Sequence, residues 1–126
     1  MDGYSGTLKD GREIYIPSWP VDTSIENLGK AGQLLGVQNV IRISELNIPS
    51  VIVAITQAED PANVASLIKY FVCEARIENE KMTPAIYASQ FKGNLGLVVE
   101  IFAMVMHAQY SGFFESGLAK ENSPES

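Results

Sequence analysis

Cysteine, histidine and basic residues are scarce in this chain, and each shortage closes a line of chemistry. Cys73 is the single cysteine and His107 the single histidine. One cysteine forms no internal disulfide, and one residue of each kind builds no structural zinc site. Lys and Arg number nine against fifteen acidic residues, a formal net charge of −6. The nine are scattered, so neither nucleic-acid phosphates nor an anionic membrane surface meets a basic patch. The first residues carry no basic segment followed by an apolar one, so no signal peptide is expected. The longest apolar run starts at Leu95. Its dense part is about a dozen residues, short of the roughly 18 that cross a bilayer, and Glu100 near its middle makes insertion costlier still.

What is present suits one small domain. The chain has 126 residues, of which 46 % are hydrophobic and 19 % charged, enough apolar material for a core. A chain this size buries roughly two thirds of its unfolded surface unaided, so self-association is expected to help. Cys73 follows Phe71 and Val72 in an apolar helical pattern. With no cationic neighbourhood evident there, it reads as a small buried hydrophobe rather than a reactive thiol, which fits a reducing cytoplasm.

Local patterns predict a mainly α fold: a small helical domain of about five to six helices with an N-terminal β-hairpin. Tyr4–Leu8 and Glu13–Ile16 read as strands joined by a turn at Asp10-Gly11, a pair that accepts positive φ. Pro17 and Pro20 stop the pairing, and Trp19 between them is placed to tack the hairpin onto the helical body. Thr23 and Glu26 have capping-box spacing. A first helix is therefore expected after Thr23, with Ile25, Leu28, Ala31 and Leu35 on its inner face and Gly36 at its end. Gly29 and Gly32 weaken that helix by roughly 1 kcal/mol each relative to alanine, and permit close approach of another helix. Val37–Leu46 fits a strand by residue type and a short helix by length. Val51–Ile55 is rich in β-branches, yet Pro49 at a first turn and helices on both sides favour helix. Asp60-Pro61 and Thr83-Pro84 are cap-plus-proline helix starts, and Arg76–Met82 between them reads as a small polar hairpin. The expected organisation is a hairpin arm at 1–20, a helical domain at 21–116 and a polar tail at 117–126.

Chemistry-bearing constellations are thin. Glu100 and His107 share a helix face but stand two turns apart, about 10 Å along the axis, too far for a paired acid and base. Asp60, Glu74, Glu78, Glu80 and Glu100 lack the spacing of a calcium loop. Gly29, Gly32 and Gly36 follow no strand, and no Gly-Lys-Ser/Thr occurs. No catalytic, cofactor-binding or metal-binding residue is therefore assigned. The remaining candidates are Phe102, Met106, Tyr110, Phe113 and Phe114, a stripe on and just beyond the apolar helix. Either they are core alone, or they are core and also a partner-binding surface, because a lone domain rarely covers every face of such a helix.

Several segments together resemble the tail assembly chaperones of long-tailed bacteriophages. They are the helix around Thr23–Leu35, the run Leu67-Ile68-Lys69-Tyr70-Phe71-Val72 before a charged turn, and Pro84 to Phe91-Lys92-Gly93. The last is Val99-Glu100-Ile101-Phe102 running into Gln109-Tyr110 and Phe113-Phe114. The likeness spans roughly residues 22–118 and lies in helix order and aromatic placement rather than in one signature; the N-terminal hairpin is not matched by it. It implies a non-enzymatic, homo-oligomeric protein of the host cytoplasm. Its implied partner is the tape measure protein, kept soluble until tail tube polymerisation, with the tail tube protein as a further partner. No nucleic acid and no membrane partner is expected. The competing readings are a permanent subunit of the tail or baseplate, a small uncharacterised enzyme working through Glu100 or His107, and a helical transcription regulator, which the acidic charge disfavours.

Overall fold

The computed structural model describes residues 3–111. These residues are mainly α-helical, with six helices and an antiparallel strand pair at the N-terminal end. In chain order the elements are β1 (Gly3–Thr7), β2 (Glu13–Pro17), α1 (Val21–Leu35), α2 (Val37–Ile41), a 3-10 turn (Ile43–Glu45), α3 (Ile48–Thr56) and α4 (Pro61–Val72). Then come β3 (Arg76–Ile77), β4 (Glu80–Lys81), α5 (Pro84–Gln90), α6 (Leu95–Met106) and a terminal π turn (His107–Ser111).

Four helix starts follow from one local device, among them α6, where Asn94 accepts from the Leu97 amide at 3.3 Å. Asp60 accepts a hydrogen bond from the Asn63 amide at 3.2 Å, and Thr83 from that of Ile86 at 3.2 Å, each with proline at the first position. At α3, Asn47 and Ser50 cap one another reciprocally, both bonds being 2.9 Å, so the β-branched run Val51–Ile55 is helical. Such a cap satisfies donors that the first turn leaves open and contributes about 1 kcal/mol.

At α1 the expected start is corrected. The helix begins at Val21, and Pro20 occupies the cap position without a side-chain hydrogen bond. Thr23 thus lies inside the first turn, where it caps nothing, and the Ser24 amide already bonds Pro20 O at 2.9 Å. The inner face shifts with it: Asn27, Ala31, Leu34 and Leu35 are buried, while Ile25 is 65 % exposed. Gly36 ends the helix with φ +86, a value side chains rarely adopt. The ambiguous segment after it is a short helix and a 3-10 turn rather than a strand.

The two hairpins form one antiparallel sheet in the order β1-β2-β3-β4. Tyr4 pairs Ile16, Ser5 pairs Tyr15 and Gly6 pairs Ile14, and Ile14 then pairs Ile77. Glu78 and Asn79 both take positive φ (52° and 69°), as the tight turn joining β3 to β4 requires. Leu8, Ile14 and Ile16 are buried in the same core as the helices. Trp19 makes the predicted connection: its ring lies 5.9 Å from Phe71 and 5.9 Å from Tyr110, and its indole N–H donates to Glu74 Oε1 at 3.2 Å. Phe71 in turn meets Phe102 edge-on at 5.7 Å. An aromatic chain therefore runs from the hairpin exit through α4 into α6, each contact adding roughly 0.5–1.5 kcal/mol beyond its buried area.

Candidate functional site

The apolar helix is sheltered on nearly every side by its own domain. Leu97, Val98, Val99, Ile101, Phe102, Ala103, Val105 and Met106 are all buried along α6. α3 and α4 pack against it. The hairpin reaches over its remaining side: Lys9 donates its amide to Glu100 Oε2 at 2.8 Å, and the Met104 methyl lies beside Gly6. Of the two readings left open by the sequence, core alone or core with a partner surface, the burial of α6 corresponds to the first.

Consequently Phe102 and Met106 are fully enclosed and Tyr110 is 4 % exposed. In this conformation none of the three offers surface to a partner. Phe113 and Phe114 lie outside the described residues. Tyr110 is fixed by its hydroxyl, which donates to Ser24 O at 2.9 Å, and burial pushes its phenol pKa well above the usual range. Gln109 beside it accepts from the Trp19 amide at 3.2 Å and donates to Pro17 O at 2.7 Å. The end of α6 is thus a clamp holding the hairpin exit and the first turn of α1.

Glu100 and His107 have separate structural jobs. Glu100 holds the hairpin turn through Lys9, while the His107 Nε2–H donates to Leu46 O at 2.8 Å and ties down the chain before α3. Cys73 is half-buried, with Lys81 and Lys69 near enough to favour its thiolate. Desolvation outweighs both and raises the thiol pKa; the side chain is less covered than the buried hydrophobe expected from the sequence, and its cationic surrounding was not evident there. Among the described residues no three His, Cys, Asp or Glu side chains gather to hold a metal ion, and no helix is long and apolar enough to cross a membrane.

Exposed apolar side chains occur elsewhere. On α1, Val21 is 74 % and Ile25 65 % exposed. Along the same helix, no atom stands within 4 Å of where a Cβ on Gly29 or Gly32 would lie. The result is a smooth strip with two apolar knobs at one end and a bare backbone at the other. A second apolar feature is a groove of about 450 Å³ between α5 and α6, lined by Tyr87, Ala88, Phe91, Leu95 and Val98. α5 buries no residue completely, so its apolar side is only half covered. The groove was not singled out from the sequence, and of the α1 strip only Gly29 and Gly32 were, as a place of close helix approach. The spacing of Val21 and Ile25 with the two glycines was the available signal, hidden because Ile25 was assigned to the inner face.

Compared with known families, the chain matches the family model "Phage tail assembly chaperone protein, TAC" over residues 10–120. It belongs to that family. No curated protein and no solved structure matches it. The matched span reaches back to residue 10 and so takes in β2 (Glu13–Pro17), further than the resemblance from residue 22 suggested. That extension agrees with the fold, in which Ile14 and Ile16 belong to the chaperone core itself. Membership implies protein partners in tail assembly and points to a non-enzymatic role.

Proposed function

We propose that this chaperone binds the tape measure protein and keeps it soluble until the tail tube polymerises. It does so in the host cytoplasm, as a homo-oligomer and without catalysis, with the tail tube protein as a later partner. The observation that carries the reading is the family match across residues 10–120. The physics supports it: capture of a long apolar helical chain needs exposed apolar contacts repeated on many copies, and net charge that keeps the complex dispersed.

The α1 strip is the surface we assign to the partner. Val21 and Ile25 supply apolar contact, and the open Gly29 and Gly32 let another helix approach the backbone closely. Phe113 and Phe114 remain in the proposed partner-binding set. Phe102, Met106 and Tyr110 serve a partner only through an opened state in which α6 leaves its bed. Co-expression with the tape measure protein tests the reading. The expected result is a soluble complex that co-purifies. A tape measure protein equally insoluble with and without this chain contradicts it, as does stoichiometric recovery of this chain from purified virions, which marks a permanent subunit.

A further inference from the structure

The four-stranded sheet has two unlike edges. β4 is two residues long and both are charged, Glu80 and Lys81. β1 is five residues long and contains neither charge nor proline: Gly3, Tyr4, Ser5, Gly6 and Thr7. Short length, charge and proline are the usual devices that keep an edge from pairing. One edge has two of them; the other has none.

Hydrogen-bond alternation shows which groups the open edge presents. The Leu8 amide donates to Arg12 O at 2.8 Å, which fixes the phase of the β1–β2 ladder. Leu8, Gly6 and Tyr4 turn their backbone groups toward β2. Gly3, Ser5 and Thr7 turn theirs away from it, and among the described residues no strand lies beyond them.

We propose that this edge pairs with the same edge of a second copy, antiparallel about a two-fold axis at Ser5. Among the described residues β1 is the sheet edge that lacks those devices, so the matching surface on a second copy is its own β1, and such a contact closes as a dimer. The register is self-complementary. Ser5 meets Ser5, and Gly3 meets Thr7 on either side, so all the outward backbone groups from Gly3 to Thr7 find partners. Tyr4 falls opposite Gly6, in the position where facing side chains come closest; each Tyr4 ring already lies over Gly6 of its own strand, so the two Tyr4 rings flank the two-fold axis. Tyr4, 44 % exposed in the single chain, is thereby covered. No charged side chain faces another within the paired stretch, so the acidic balance of the chain does not oppose it. The result is a continuous eight-stranded sheet with only the short charged β4 at each end.

The inference names the surface behind the homo-oligomer proposed above and is separable from tape measure binding. Light scattering across a concentration series, on the full chain, is the test. Wild type is expected to form dimers or multiples of dimers. Ser5→Pro deletes an outward N–H while leaving the inner ladder intact, and should weaken self-association at least about tenfold with an unchanged circular dichroism spectrum and melting temperature. Ser5→Cys should give an oxidised dimer linked through position 5 in both copies, mapped by peptide mass spectrometry. Wild type, with only Cys73, serves as the control. An oligomer that Ser5→Pro leaves intact, and that gives no link through position 5, overturns the edge but not the homo-oligomer. A strict monomer at every concentration overturns both, while tape measure capture on the same samples reports the chaperone reading separately.

Discussion

α6 and α1 invert what their compositions suggest. α6 is apolar along almost its whole length, and the domain hides it. α1 is more mixed, yet it carries Val21 and Ile25 outside and Asn27 inside. The apolar content of a helix measures how much must be covered. Topology decides whether it is covered. Here a hairpin some ninety residues upstream lies over Glu100 and Met104, and no part of the described chain lies over Gly29 or Gly32.

The sharpest way to break the contrast is to truncate the buried helix. Phe102→Ala should cost about 3–5 kcal/mol, read by urea denaturation, because Phe102 is fully enclosed and stacked edge-on against Phe71. A cost under about 1 kcal/mol would mean that α6 is not the core. The double change Gly29→Ala with Gly32→Ala should act oppositely, raising stability by roughly 2 kcal/mol since both methyls enter open space. It should also reduce co-purification of the tape measure protein. Gain of stability with undiminished capture would show that the strip is bare for another reason.

A smaller effect is expected at Asn27. Its Oδ1 accepts from the Tyr70 hydroxyl at 2.9 Å, but its amide nitrogen is buried without a partner. A buried orphan donor costs roughly 1–3 kcal/mol, so Asn27→Leu should hold stability or raise it by about 1 kcal/mol, read by urea denaturation. A large loss would show that the Asn27–Tyr70 bond organises the α1–α4 contact. Smallest is an alkaline effect at Tyr110. Burial raises its phenol pKa in the folded chain, so its contribution is fully present below the unfolded value near 10 and lost as pH rises above it. Tyr110→Phe should flatten the decline in melting temperature between pH 9 and pH 11 on a ~2-unit scan; an unaltered slope would place the titrating groups elsewhere.

Most of the fold was legible because its signals are local. Asn47, Asp60 and Thr83 cap helices within three residues of themselves, and Asp10-Gly11 turns the hairpin on itself. The misreadings share the opposite property. Thr23 and Glu26 matched a capping pattern, but Pro20 starts the helix earlier and overrides it. Ile25 was assigned inward by its spacing with Leu28, Ala31 and Leu35, and no periodicity argument anticipates that Tyr70, forty-three residues away, supplies a partner for a buried Asn27. The pairing of Ile14 with Ile77 and the lid over α6 are likewise long-range. The candidate site was least legible for the same reason: surface is what remains after long-range packing is complete.

Hydrogen exchange on the chaperone, free and bound to the tape measure protein, tests the central claim most directly. The account predicts new protection over residues 21–32 of α1, with the amides of α6 from Leu97 to Met106 as slow as in the free chain. Faster exchange across α6 on binding, with α1 unchanged, would contradict it, because the buried aromatic stripe would then be what grips the partner.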